Sequence, residues 1–193
     1  MKIAYISGST IPSSKANSVH VMKMCQALSR HKKSNITLYG KRGSFFTNAF
    51  AHYNIKNTFS LVRSWLGTLP VISGLLRLIS VIIHAGILNK PDAYYGRDAR
   101  GLLLLSRFNI PTFFEAHQIP QSKHERKTWE KLIRSNSFKG VVTISQALKD
   151  DFIKTFSYKG AILVAHDGAD IATQPPKKIP QKDWNGRRNT LQV

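Results

Sequence analysis

Glu115 and His117 stand two positions apart at the end of "IPTFFEAHQIP", where an apolar run gives way to a carboxylate and an imidazole. An imidazole that titrates near about 6.5 can donate to a hydroxyl or accept from one at neutral pH. A carboxylate at a strand end commonly bonds loop N–H groups. Two plainer explanations compete, a capped helix start and a polar loop, so neighbouring elements must decide. The other candidates follow apolar runs in the same way: Arg97 and Asp98 after "DAYYG", Ser145 after "VVTI", and His166, Asp167 and Gly168 after "AILVA". Asp98 reads as a helix cap, and Arg97 as a group that could bind an anionic acceptor. Asp167 and Asp170 resemble a metal-binding acidic pair only superficially, and Gly168 reads as a turn. No Cys/His cluster has zinc spacing, so no metal is expected.

The elements that must position these residues alternate. "KIAYIS" (2–7), "NITLYG" (35–40), "NTFSLV" (57–62), "DAYYGR" (92–97), "IPTFFEAH", "GVVTIS" (140–145) and "AILVAH" (161–166) read as strands. Between them "SVHVMKMCQALSRH" (18–31), 71–88, "ARGLLLLSRF", 123–136 and "QALKDDFIKTF" read as helices. Val21, Met24, Cys25 and Leu28 form the apolar face of the first, with Asn17 or Ser18 as its N-cap. Continuous apolar strands separated by helices specify an α/β fold, a doubly wound, mostly parallel Rossmann-like sheet. In such sheets ligands bind beyond the carboxyl ends of the strands, and every candidate above falls there. The first such loop, "SGSTIPSSKANS", is serine-rich and leads to a helix N-terminus that attracts phosphate or a hydroxylated ligand. It has neither GxGxxG nor a Walker A pattern.

Charge narrows the chemistry. The 193 residues carry 29 Lys and Arg against 10 acids, a formal +19. No Asp or Glu precedes Asp92, so the first 91 residues supply no carboxylate catalyst or ligand. Anionic partners are favoured: phosphates, an anionic membrane face or nucleic acid. Nucleic acid ranks last, because no helix-turn-helix, RRM or zinc signature is present. The apolar stretch 69–88 has membrane-span length, but Arg77 near its centre favours a packed or interfacial helix. The helix around 123–134 reads as a solvated face with i,i+4 pairs, or as a basic surface for lipid headgroups. Cys25 reads as a buried small hydrophobe, and no secretory signal opens the chain.

Four stretches, "IPSSKANSVHVMKMCQAL", "FFEAHQIP", "VVTISQALKDDF" and "ILVAHDGADI", resemble in order and spacing the N-terminal domain of family 4 retaining glycosyltransferases, over residues 1–172. The resemblance implies one half of a two-domain GT-B fold, with an acceptor-binding domain at 1–172 and a linker or tail at 173–193. It implies that His117 lies near the reacting sugar and that Glu115 supports the strand-end loop. Ser13, Ser14, Asn17 and Ser18 would lie near the diphosphate or acceptor, and His166, Asp167 and Gly168 at the cleft floor. The expected co-substrate is a nucleotide-sugar, with no cofactor or metal. The expected partners are a glycan or lipid-linked acceptor, a C-terminal donor-binding domain on a second chain, and an anionic membrane surface. The family's Arg/Lys pair for the diphosphate and its two glutamates eight positions apart are not found here, and serine, lysine and alanine replace most first-loop glycines. The chain alone is therefore expected to be inactive, in the cytoplasm or at the inner membrane face. The alternative is a non-enzymatic module that binds a glycan or an anionic membrane.

Overall fold

The computed structural model describes residues 1–31, 34–43, 47–64 and 78–166. The expected turn at Asp167 and Gly168 and the tail at 173–193 lie outside the described residues. Seven strands form one sheet: β1 (Lys2–Ile11), β2 (Asn35–Arg42), β3 (Ser60–Ser64), β4 (Ala93–Gly96), β5 (Thr112–Ala116), β6 (Phe138–Thr143) and β7 (Ile162–Val164). Their order is β3-β2-β1-β4-β5-β6-β7, and every neighbouring pair is parallel. The chain therefore winds outward from β1 in one direction and then, from β4, in the other. The seam between β1 and β4 is the topological switch point where such sheets open a crevice.

Helices α1 (Ala16–Ser29), α2 (Ala49–His52), α4 (Ala99–Leu105), α5 (Lys123–Ile133) and α6 (Gln146–Phe156) connect the strands. A helical segment, α3, runs from 78 to 88 and becomes π-helical over Ile82–Leu88; the part of the expected 71–88 helix before it lies outside the described residues. Among the described residues no helix is long and apolar enough to cross a membrane.

Two apolar clusters build the core. One gathers Ala4, Ile6, Tyr94, Leu102, Phe114, Trp129 and Phe152. The other gathers Tyr5, Ile11, Val21, Met22, Cys25 and Leu38. Consecutive β1 residues such as Tyr5 and Ile6 enter different clusters, as the strand's two-residue period requires. Both faces of the sheet are thus covered, which is why the strands read as unbroken apolar runs. Helix α5 buries Thr128, Trp129 and Leu132. The Trp129 ring meets Phe114 edge-on at 4.5 Å and stacks on Phe156 at 5.8 Å. Burying a large side chain of this kind contributes roughly 1.5–3 kcal/mol.

Several boundaries differ from the sequence reading for identifiable reasons. Strand β1 does not stop at residue 7. After a register shift between Ile6 and Thr10 it pairs again with β2, because Ile11 is fully buried in the second cluster. Neither Asn17 nor Ser18 caps α1. The N-cap is Lys15, with no side-chain cap. The Ser18 hydroxyl instead donates back to the carbonyls of Ser13 and Lys15, and Asn17 Oδ1 accepts from Ser9 Oγ. Strand β3 lies three residues later than expected at its start, and β6 starts two residues earlier. Asp98 caps α4 as expected, accepting from Gly101 N at 3.2 Å, and Ser145 caps α6, accepting from Leu148 N at 3.1 Å.

Candidate active site

The switch point is open because β1 and β4 part there. Their last paired residues are Ile6 and Gly96. Both Arg97 and Asp98 then donate backbone N–H to Ile6 O, at 3.0 and 3.3 Å. Gly96 makes this close approach possible. Its φ is +149°, and a Cβ there would sit 2.2 Å from Ile6 O, so no other residue fits without strain. Beyond this pinch lies a cavity of about 680 Å³, lined by Ser7, Gly8 and Ser9 of β1, Asn17, Lys41, Arg97, Asp98 and Arg100, Glu115, His117 and Gln118, and Trp129 of α5, among others.

Glu115 is the centre of its polar wall. It is the penultimate residue of β5 and only 3% exposed, so it and Ala116 lie within the strand rather than in the loop after it. Tyr5 Oη donates to Glu115 Oε2 at 2.8 Å. His117 Nε2 lies 2.5 Å from Oε1, and His20 Nε2 lies 3.1 Å from the same oxygen. Tyr95 also hydrogen-bonds this carboxylate. Burial alone pushes the Glu115 carboxyl up, but hydrogen bonds from His117, His20, Tyr5 and Tyr95 outweigh it and hold the group well below the usual carboxylate range. An ionised carboxylate only accepts, so both imidazoles donate Nε2–H to it. Burial, and then the Glu115 charge, push the Tyr5 phenol well up. Arg97 Nε is 3.9 Å from Oε1, an ion-pair distance rather than a hydrogen bond. The rings of His20 and His117 meet edge-to-face at 4.9 Å.

The cavity thus brings together Glu115, His117, Arg97, Asp98 and Asn17 of the residues singled out in the sequence. Among the described residues it does not bring in Ser13, Ser14, Ser18, Ser145 or His166. Ser13 and Ser18 bond one another at 2.8 Å, and Ser13 exchanges backbone hydrogen bonds with Tyr53 Oη. Ser14 is exposed. Ser145 is occupied as a helix cap, and His166 is exposed beyond β7; neither lines the cavity. Sequence reasoning missed Gly8, His20, Lys41 and Trp129. His20 carried one faint signal, an imidazole between two valines in the first turns of α1, but its partner is 95 residues away.

The wall mixes cations (Lys41, Arg97, Arg100), carboxylates (Asp98, Glu115, Glu125), hydroxyls (Ser7, Ser9) and an imidazole. Interleaved donors and acceptors match a ligand whose own groups both donate and accept, as sugar hydroxyls do. Gly8 leaves the space open. A Cβ there would meet nothing nearer than Asp98 Oδ2 at 4.0 Å, so packing does not require a glycine.

The fold is a Rossmann-type, all-parallel α/β sheet of the kind found in GT-B proteins. Among solved structures the chain is similar to the lipopolysaccharide outer core galactosyltransferase WaaB in its apo form, with TM-score 0.58 and 17% identity over 93% of this chain and 50% of that one. It is also similar to a UDP-N-acetylglucosamine 2-epimerase, with TM-score 0.60 and 12% identity over 85% of this chain and 47% of that one. A third is UGT2 of Phytolacca americana, complexed with UDP-2fluoro-glucose and pterostilbene, with TM-score 0.58 and 13% identity over 89% of this chain and 53% of that one. The chain spans about half the length of each of these structures. No family model and no curated protein matches the sequence.

Proposed function

We propose that this chain is the acceptor-binding half of a retaining glycosyltransferase of family 4, which passes a sugar from a nucleotide-sugar donor to a glycan or lipid-linked acceptor. The observation that carries the reading is the 680 Å³ cavity at the switch point, with the Glu115–His117 pair and Arg97 in its wall. His117 binds a sugar hydroxyl, its ring fixed by Glu115. Arg97 neutralises an anionic oxygen of the donor or acceptor. In this reading a C-terminal domain of the complete enzyme holds the nucleotide, and transfer needs both halves.

The same reading places the protein at the inner face of a membrane. Ile79, Ile83, Ile87 and Leu88 are exposed along α3, at four-residue and adjacent spacings. Such a stripe on a chain of formal charge +19 suits an anionic bilayer, to which each basic residue near the surface contributes about 1 kcal/mol. Flotation with anionic vesicles at low and high salt tests this part; absence of binding at low salt removes it.

Gly8→Val tests the site itself. The fold leaves space for the side chain, so the variant should melt with the native protein. It should nevertheless lose saturation-transfer NMR signals from UDP-glucose or oligosaccharide probes. Unchanged signals in Gly8→Val would show that the ligand sits elsewhere.

A further inference from the structure

We propose that His20, Glu115 and His117 form a binding site for a single transition-metal dication of the zinc type. The proposal rests on the side-chain cluster alone and does not depend on which ligand the cavity takes. One ligand atom from each residue lies within 4.8 Å of the others. Both imidazole Nε2 atoms aim at the same carboxylate oxygen, at 3.1 and 2.5 Å.

Zinc bonds of about 2.0–2.2 Å in a tetrahedron place ligand atoms roughly 3.3 Å apart. The cluster therefore closes around an ion with His117 and Glu115 separating by under about 1 Å and the two imidazoles drawing together. An imidazole binds a metal through a ring nitrogen that carries no proton, so each Nε2 must be free of its proton to become a ligand.

Three further features fit. His20 sits on α1, Glu115 within β5 and His117 one residue past the strand's end, not on a long loop. The second carboxylate oxygen is already held by Tyr5 Oη at 2.8 Å, the outer hydrogen bond that orients a metal-bound carboxylate. Glu115 and His117 line the cavity, and the two histidine side chains are 19% and 15% exposed, against 2% for Glu115, so a fourth ligand can reach the cluster from solvent. Two imidazoles and one carboxylate, with an open fourth place, make the donor set of a reactive zinc site rather than a closed structural one. Two nitrogens among three ligands also select against Mg²⁺ and Ca²⁺, which take oxygen. The open position would take a water, hydroxyl or phosphate oxygen of the cavity's occupant.

Arg97 is the competitor. Its Nε lies 3.9 Å from the shared oxygen, and it supplies positive charge where the ion would bring its own. Removing that charge should strengthen metal binding, which a purely structural hydrogen-bond cluster does not predict.

The test uses the full chain without a histidine tag, stripped with EDTA and dialysed. Zinc chloride is titrated calorimetrically, and Co²⁺ is followed by the visible absorption of the tetrahedral ion. One equivalent should bind. His20→Ala and His117→Ala should each weaken binding at least about tenfold, His124→Ala should not, and Arg97→Ala should tighten it. Circular dichroism melts establish that each variant is folded. No one-equivalent uptake, or uptake indifferent to His20 in a folded variant, overturns the proposal. Oligosaccharide binding measured in EDTA reports on the sugar-site reading separately, so the two fail independently.

Discussion

Replacing Glu115 by glutamine removes the charge on which four donors converge. Tyr5, His20, His117 and Tyr95 all hydrogen-bond the carboxylate, and Tyr5 is fully buried. The amide keeps one acceptor oxygen and turns an NH₂ toward the remaining donors, so at least one donor is stranded. A buried unsatisfied donor costs about 1–3 kcal/mol, and breaking a buried ionic cluster from one side about 3–5 kcal/mol. We expect Glu115→Gln to lose about 3 kcal/mol at pH 7 by urea unfolding, with an unchanged slope. The pH dependence fixes the cause. The folded-state carboxyl is held below its unfolded value of 4.5, so its contribution is present above about pH 4.5 and is lost as pH falls toward the folded value. The gap between native and Glu115→Gln should therefore narrow between pH 5 and pH 3. A loss under about 1 kcal/mol, or a gap unchanged across that range, refutes the hub.

Further outcomes follow from single contacts. Gly96→Ala should destabilise strongly, by chemical denaturation, because a Cβ would collide with Ile6 O at a φ of +149°. Trp129→Ala removes the ring packed on Phe114, Phe152 and Phe156 and should cost about 3–5 kcal/mol. Asp98→Ala uncaps α4 and should cost about 1 kcal/mol. That change should be readable as a melting shift with little effect on the sheet.

The sequence made the layers of the fold legible because both of its signals are local. Apolar runs without alternation marked strands covered on two faces, and the helix Gln146–Phe156 emerged with its bounds intact. Local signals could not reveal that β1 resumes after its register shift, since Ile11 earns its place only by packing beneath α1. They misassigned the loop serines for the same reason: Ser18 satisfies carbonyls of its own loop rather than capping α1. At the site, Glu115 and His117 were visible as a polar break in an apolar run. His20 was not, because only the winding of the sheet carries α1 over the end of β5. Gly8 was equally silent, since its importance lies in the volume left beside it.

Amide chemical-shift mapping tests the central claim most directly. UDP-glucose or an oligosaccharide titrated into the labelled chain should move resonances of Gly8, Arg97, His117 and Gln118, around the parted tips of β1, β4 and β5. Shifts confined to the opposite edge, around Asn48 and Arg63, or no shifts at saturating ligand, would contradict it.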